Sequence, residues 1–416
     1  MKGLLLGLAA CLAGAAMAAE GKVVQFAPGP EVEQAVQEAF ILEDPGTVFE
    51  FAEGTYTFTG QLSLDLADAT VRGAGMDKTI FDFKGQTSGS EGLYVTSDGV
   101  TVRDLAILDT PGNCFKSNGA DNLRLINVRT EWTGGPKETN GAYGLYPVSC
   151  ENVLIDGCVA IGASDAGIYV GQTKNVIVRN SRAEYNVAGI EIENCHYADV
   201  YDCIATRNTG GILVFDLPGL PMQKGRYVRV FNNKVVKNDT PNFAPAGNIV
   251  ANVPTGTGIM IMANSHVEIF HNEIGDNGTA NVSIVSYLVT RNQISDPEYY
   301  PYPEAIYIHN NSFGPSGFAP KGELALAAAI FLGGKLPDII WDGIVNEEKT
   351  EDGNPPAEMG IYIEENTKKD GGEVTFANLD AGTFLKDPTK MKVKQDISAH
   401  AGSLPRLDPV KLSGLE

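Results

Sequence analysis

The sequence predicts an all-β solenoid, on three observations. A Gly-Ile-x-(Val/Ile) core recurs in "DAGIYVGQT" (165–173), "VAGIEIENC" (187–195) and "TGGILVFDL" (209–217). Rows beginning at 151, 174 and 196 are 23 and 22 residues long, a period in the low twenties. Each row carries short alternating strands with Gly and Asn between them, so a row buries its apolar face only against its neighbours.

Seven rows make the columns explicit, starting at "DGVTVRDLAI" (98), "DNLRLINVRT" (121), "ENVLIDGCVA" (151), "KNVIVRNSRA" (174), "HYADVYDCIA" (196), "RYVRVFNNKV" (226) and "SHVEIFHNEI" (265). One column holds Val102, Leu125, Ile155, Val178, Val200, Val230 and Ile269; the next holds Leu105, Val128, Cys158, Ser181, Cys203, Asn233 and Asn272. The β-branched, Asn-rich columns lack the spaced leucines of a leucine-rich repeat. Asn233 and Asn272, continued by Asn292 and Asn311, read as an internal amide ladder with a structural role.

Within "GIYV", Ile168 and Val170 point inward, Gly167 allows the corner and Tyr169 points outward. The equivalent outward positions are Tyr146, Tyr169, Glu191, Leu213 and Met260, with Tyr362 of "GIYI" (360–363) in a late turn. The core fixes three residues of the motif and frees one.

The N-terminal "MKGLLLGLAACLAGAAMAAE" has a basic residue, an apolar run and the small-residue site Ala16-Met17-Ala18, which reads as a cleaved signal over 1–18 and a periplasmic or secreted protein. "LAAC" also resembles a lipoprotein box at Cys11. No later stretch is apolar for the ~18 residues a membrane span needs. Net charge is −21, from 31 basic and 52 acidic residues, which makes nucleic acid and anionic membranes poor partners.

"VEQAVQEAFILEDPGTVFEFAEGTYTF" (32–58) followed by "ATVRGAGMDKTIFDF" (69–83) resembles the start of pectin-lyase-like proteins. The whole mature chain, with "GGILVFDLPGLPMQKG" (210–225) and "IIWDGIVN" (339–346), looks like the exported parallel β-helix repeat-containing proteins of Gram-negative bacteria. That resemblance implies a single-stranded right-handed parallel β-helix with an N-terminal helical cap and implies no established activity. It also suggests an exported partner, such as a c-type cytochrome-like protein. The enzyme signatures of this fold are missing: Asn208-Thr209-Gly210 replaces the Asn-Thr-Asp of polygalacturonase-like hydrolases, and neither Gly-His-Gly nor the epimerase-like Asp-Pro-His-Asp occurs. Nor can the clustered calcium-binding Asp residues and catalytic Arg of pectate lyases be placed.

The expected organisation is a cap over 19–66, a β-helix over 67–378 interrupted at about 314–336 by a short helix, and an irregular tail over 379–416 that covers the last edge. Three rows, from 121, 196 and 226, carry extra residues. With turns stacked about 4.8 Å apart, loops from the second and sixth rows would wall a groove roughly 14 Å across, enough for about three sugar rings.

Glu191 and Glu193 would face that groove as the candidate catalytic pair, since i, i+2 on a strand is about 6.6–6.8 Å, within the roughly 6.5–9.5 Å of an inverting glycosidase. Any exposed strand with two acids gives the same spacing. Tyr146, Tyr169, Asp165, Asp216 and Lys224 are the candidate substrate-binding residues. Asp165, Glu191 and Glu193 could together hold calcium. Met260, Met262 and His266 offer a softer set suited to Cu(I), against the simpler reading that both Met side chains pack under a loop. Cys158 and Cys203, like Cys150 and Cys195, sit two turns or about 9.6 Å apart, beyond disulfide reach, so the mature thiols are expected free. These features give two functional expectations: a monomeric exported protein that binds, and cleaves or epimerises, a polysaccharide, or a non-catalytic scaffold for an exported partner.

Overall fold

The computed structural model describes residues 21–351, 355–387 and 390–412. The signal segment and Cys11 lie outside the described residues. The chain winds into a parallel β-helix built from an 11-stranded and a 21-stranded sheet. A representative turn runs Glu151–Asp156, Val159–Ile161 and Ala166–Gly171. The first two strands join the larger sheet and the third joins the smaller. Every pairing between these strands is parallel and in register, as in Ile168↔Ile190 and Ile190↔Ile212.

The sharp corner inside the larger sheet is made by one residue per turn in the left-handed region: Asp104, Asn127, Gly157, Asn180, Asp202, Asn232, His271, Asn310 and Glu365. Asn and Asp tolerate that conformation at modest strain. The next residue points inward, and there the backbone amide of each turn needs a partner. Ser181 Oγ accepts from Cys158 N at 3.1 Å, and Asn233 Oδ1 accepts from Cys203 N at 2.9 Å. From Asn233 onward the amides bond to one another, Asn233 to Asn272 at 3.0 Å, Asn272 to Asn311 at 3.0 Å and Asn311 to Asn366 at 2.9 Å. The ladder thus continues to Asn366; Asn292 lies outside it, in the irregular segment after Val285. A second ladder, Asn186–Asn208–Asn238–Asn277, runs with steps of 3.0, 3.1 and 3.2 Å.

Both inward columns are buried in one continuous core that extends from Phe26 to Phe376. Helix α1 (Val32–Leu42) closes its N-terminal end with Val32, Val36 and Phe40. The first strand, Val23–Phe26, already pairs with Val48–Phe51, so the coil begins well before residue 67 and α1 is inserted within its first turn. Helix α2 (Gly322–Phe331) occupies the expected interruption. The "GIYI" segment is displaced from its expected column: Tyr362 pairs with Tyr307 in the larger sheet, while Ile339–Trp341 continues the smaller one.

The tail does two things. Lys394 pairs antiparallel with Asn378 on the last strand, covering that edge. Residues 404–412 then run back along the outer face of the larger sheet, where Leu407 N donates to Glu268 at 3.1 Å and Val410 N donates to Asp199 at 3.1 Å.

Cys114, Cys150, Cys158, Cys195 and Cys203 are free and buried. Burial pushes the Cys114, Cys158, Cys195 and Cys203 thiols up to about 12. None of the five is expected to react with a thiol reagent at neutral pH until the protein is denatured, and a colorimetric thiol count with and without denaturant checks this. Replacing Asn272 by Ala, which strips the Asn233 amide groups of their acceptor, is expected to cost about 1–3 kcal/mol in a denaturant titration.

Candidate functional site

The outer face of the smaller sheet is where the sequence motif leaves one residue free. Register stacks Tyr146, Tyr169, Glu191, Leu213 and Met260 in one column, and Gly171, Glu193, Phe215 and Met262 in the next. Gly171 is required here. A Cβ at that position would lie 2.2 Å from the Tyr169 hydroxyl, so its absence lets the ring fold over and donate to Glu193 Oε1 at 2.7 Å. Tyr143, Tyr146 and Tyr169 form a tight cluster, with centroids 4.4, 4.6 and 5.0 Å apart. Lys116 Nζ approaches the Tyr146 ring at 5.2 Å and pairs with Glu91 at 3.2 Å.

This face is roofed rather than open. Val250 and Val253, from the long segment before Thr257–Met262, and Tyr287 and Tyr299, from the segment after Ala280–Val285, pack onto Tyr169, Leu213, Phe215, Met260 and Met262. Two roof contacts are polar: Asn248 Nδ2 donates to Asp165 Oδ2 at 3.3 Å, and the Tyr299 hydroxyl donates to the Asp216 carbonyl at 2.5 Å. Glu191 and Glu193 therefore point outward, as the motif requires, yet are only 1% and 7% exposed. The expected open groove is filled by its own loops.

The structure gathers Asp165, Glu191, Glu193 and Asp216 beneath that roof with Tyr143, Tyr146 and Tyr169. Lys224 stays exposed on the overhanging 217–225 loop. Burial, and then the charge of Glu193, pushes Asp165 up to about 7. Burial does the same to Glu193, against the opposing Tyr169 hydrogen bond. Glu191 is raised further by burial and by the charges of Asp165 and Glu193, and neither of its oxygens has a hydrogen-bond partner in the protein. Asp216 also rises to about 7 through burial, although the Gly225 and Lys224 amides oppose the shift. Near neutral pH the cluster can hold protons that ordinary carboxyls release, the state a general acid requires.

Among the described residues no group of three or more His, Cys, Asp or Glu side chains is arranged to hold a metal ion. Asp165, Glu191 and Glu193 are accordingly not arranged as calcium ligands in this structure. Met260 and Met262 are buried under the loops, while His266 belongs to the other sheet, so the three do not converge. Tyr143, Asn248 and Tyr299 had not been expected at the site. Tyr143 sits three residues before Tyr146, a legible neighbour; Asn248 and Tyr299 come from insertions that share no period with the coil.

Residues 91–245 match the protein family described as "Right handed beta helix region". With the two sheets and the stacked register, this makes the chain a right-handed parallel β-helix, the architecture implied by its likeness to pectin-lyase-like proteins. Solved structures similar to it include the following three. The A-module of the Azotobacter vinelandii mannuronan C-5 epimerase AlgE4 is 13% identical, over 81% of this chain and 90% of that one, with TM-score 0.48. The catalytic unit of a GH87 alpha-1,3-glucanase from Streptomyces thermodiastaticus strain HF3-3 is 15% identical, over 86% and 55%, with TM-score 0.49. An alginate lyase from Paenibacillus sp. str. FPU-7 is 12% identical, over 85% and 97%, with TM-score 0.41. No curated protein matches the chain.

A carboxyl whose pKa is higher in the folded than in the unfolded protein binds its proton more tightly when folded. Its stabilising contribution is therefore full below the unfolded value of about 4 and is lost as pH rises through the raised folded value, about 7 for Asp165 and Glu193. Glu191→Gln is expected to leave the melting temperature unchanged near pH 4 and to raise it by about 2 °C near pH 8, read in parallel thermal melts.

Proposed function

We propose that this is an exported protein, periplasmic or secreted, that binds a polysaccharide along the outer face of the smaller sheet. The carrying observation is the collection of Asp165, Glu191 and Glu193 with three clustered tyrosines on consecutive turns, beneath loops rather than in the core. Carboxyls shifted towards neutrality beside aromatic surfaces are the groups that glycan chemistry uses. Because the face is roofed, a glycan must displace the 239–256 and 286–303 segments to reach it. In that reading Glu191, the carboxyl without a partner, is the proton donor. Glu193, oriented by Tyr169, is the base, so that bond cleavage or epimerisation would follow binding. An acidic site of this kind disfavours polyanionic chains and suits neutral or cationic ones.

A second reading, the docking of an exported partner, is favoured by a different feature. Helix α2 is apolar after Glu323 in its first turn, and Leu326 and Ile330 are exposed, beside exposed Phe318 and Phe331. No helix among the described residues is long and apolar enough to cross a membrane.

A glycan array and a depolymerisation screen on the mature protein test the first reading, alongside Glu191→Gln/Glu193→Gln and a variant with 240–252 replaced by a short Gly-Ser linker. Binding of a neutral or cationic glycan should strengthen by about tenfold or more in the unroofed protein and be lost in the double variant. Absence of binding in both native and unroofed proteins would end this reading and favour the scaffold, which a Leu326→Ser/Ile330→Ser pull-down then addresses.

A further inference from the structure

The larger sheet carries a second ladder on its outside, at the second residue of its longer strands. Asn152, Asn175, Tyr197, Tyr227, His266 and Ala305 occupy successive turns of this column, all in the left-handed region with φ between 52° and 63°. Register confirms the stacking, His196↔Arg226↔Ser265↔Glu304 being the adjacent column. The Tyr197 and Tyr227 rings lie 5.0 Å apart and nearly parallel, at 9°, and His266 follows at 4.8 Å, tilted by 48°. At the next turn the ring is replaced by a methyl group, Ala305. One turn beyond, Ile306 N bonds to the carbonyl of Gly360, which has no side chain at all. The ladder therefore stops with one face of His266 uncovered by any ring of the column.

The missing ring is matched by open space. A cavity of about 390 Å³ is lined by Tyr197, Tyr227 and His266, by Ala305, and by the tail segment 404–408, a size within the roughly 300–1,000 Å³ of small-molecule sites. Its far wall is held in place, since Arg406 Nη1 lies 2.7 Å from Glu268 Oε1 and Leu407 N bonds to Glu268 Oε2 at 3.1 Å. Glu268 also takes a hydrogen bond from His309 at 3.0 Å. The one buried carboxylate on the floor is thus committed to protein groups, Arg406 among them, and apart from Arg406, Glu358 and Asp408 the remaining walls are aliphatic or aromatic. Two acids, Glu358 and Asp408, are exposed among the lining residues. A flat aromatic ring needs stacking surface, which Tyr227 and His266 continue to offer at this end of the ladder.

We propose that this cleft binds an aromatic amine, its ring taking the missing place in the ladder over Ala305 and its ammonium group facing Glu358 and Asp408. The ring of such a ligand continues the spacing that Tyr227 and His266 set, and its charge complements the acidic mouth. This site is on the other sheet from the roofed carboxylates and does not depend on the polysaccharide reading.

The decisive variant is Ala305→Tyr. Tyr197 and Tyr227 already hold the same left-handed backbone in this column, so tyrosine at 305 needs no new backbone conformation, and its ring is directed into the cavity that the buried Ala305 lines. Isothermal titration of the full mature chain with tryptamine should show binding, with indole-3-acetate at least about tenfold weaker because its carboxylate meets the acidic mouth. Ala305→Tyr should abolish tryptamine binding while circular dichroism and melting temperature hold or rise. His266→Ala, a second route that needs no new side chain, should weaken it by about threefold to tenfold. Glu191→Gln/Glu193→Gln should leave it unchanged. Retained tryptamine binding in folded Ala305→Tyr, equal binding of indole-3-acetate, or no binding of tryptamine at millimolar concentration would each overturn the proposal.

Discussion

Parallel hydrogen bonding from turn to turn is the constraint on which everything else here depends. It fixes the spacing of successive turns at about 4.8 Å and their register with it. A residue then meets its own counterpart above and below, and any group placed in a column must be able to stack on itself. Aliphatic side chains do so inside, amides do so at the two buried Asn ladders, and rings do so at Tyr197–Tyr227 and at Tyr201–Phe231–Phe270. Carboxylates do not. Buried together, as Asp165, Glu191 and Glu193 are, they need a cation or a proton to offset a repulsion that the roof only strengthens.

This self-stacking is also why so much of the coil was legible in the sequence. Val102 through Ile269 could be aligned by eye because each turn imposes the same environment on the same position. The reading failed where the count of residues per turn failed. Asn292 of "YLVTRNQI" follows a strand-like run as Asn233 and Asn272 do, yet the chain leaves the coil between Val285 and Glu304. Tyr362 was misplaced by the same mechanism, since the interruption containing α2 shifts the phase and "GIYI" repeats the spelling of one sheet within the other.

The candidate site shows the limit more sharply. That Tyr169, Glu191 and Glu193 face outward follows from alternation along a strand. That they are covered does not, because the cover is made by insertions of irregular backbone with no period to align. Exposure is a property of what lies opposite a residue, and for Glu191 what lies opposite is far away in sequence. The same holds for the tail: nothing in "LPRLDPVKL" announces that its backbone amides serve Asp199 and Glu268.

That tail has a consequence for how the molecule is held together. A solenoid can add turns in order, each templated by the one before, so most of its contacts join a turn to its immediate neighbour. The strap breaks that pattern, joining Val410 to Asp199 and Leu407 to Glu268 across half the chain or a third of it. Until those amides arrive, two carboxylates on the outer face stay in water, and Arg229 is the side chain that pairs with the first. The molecule is therefore held by contacts of two different characters, turn-to-turn pairing along the coil and a single closure across it. The closure acts as a clasp across several turns, so that fraying of any one of them must first release a segment that is anchored on its neighbours.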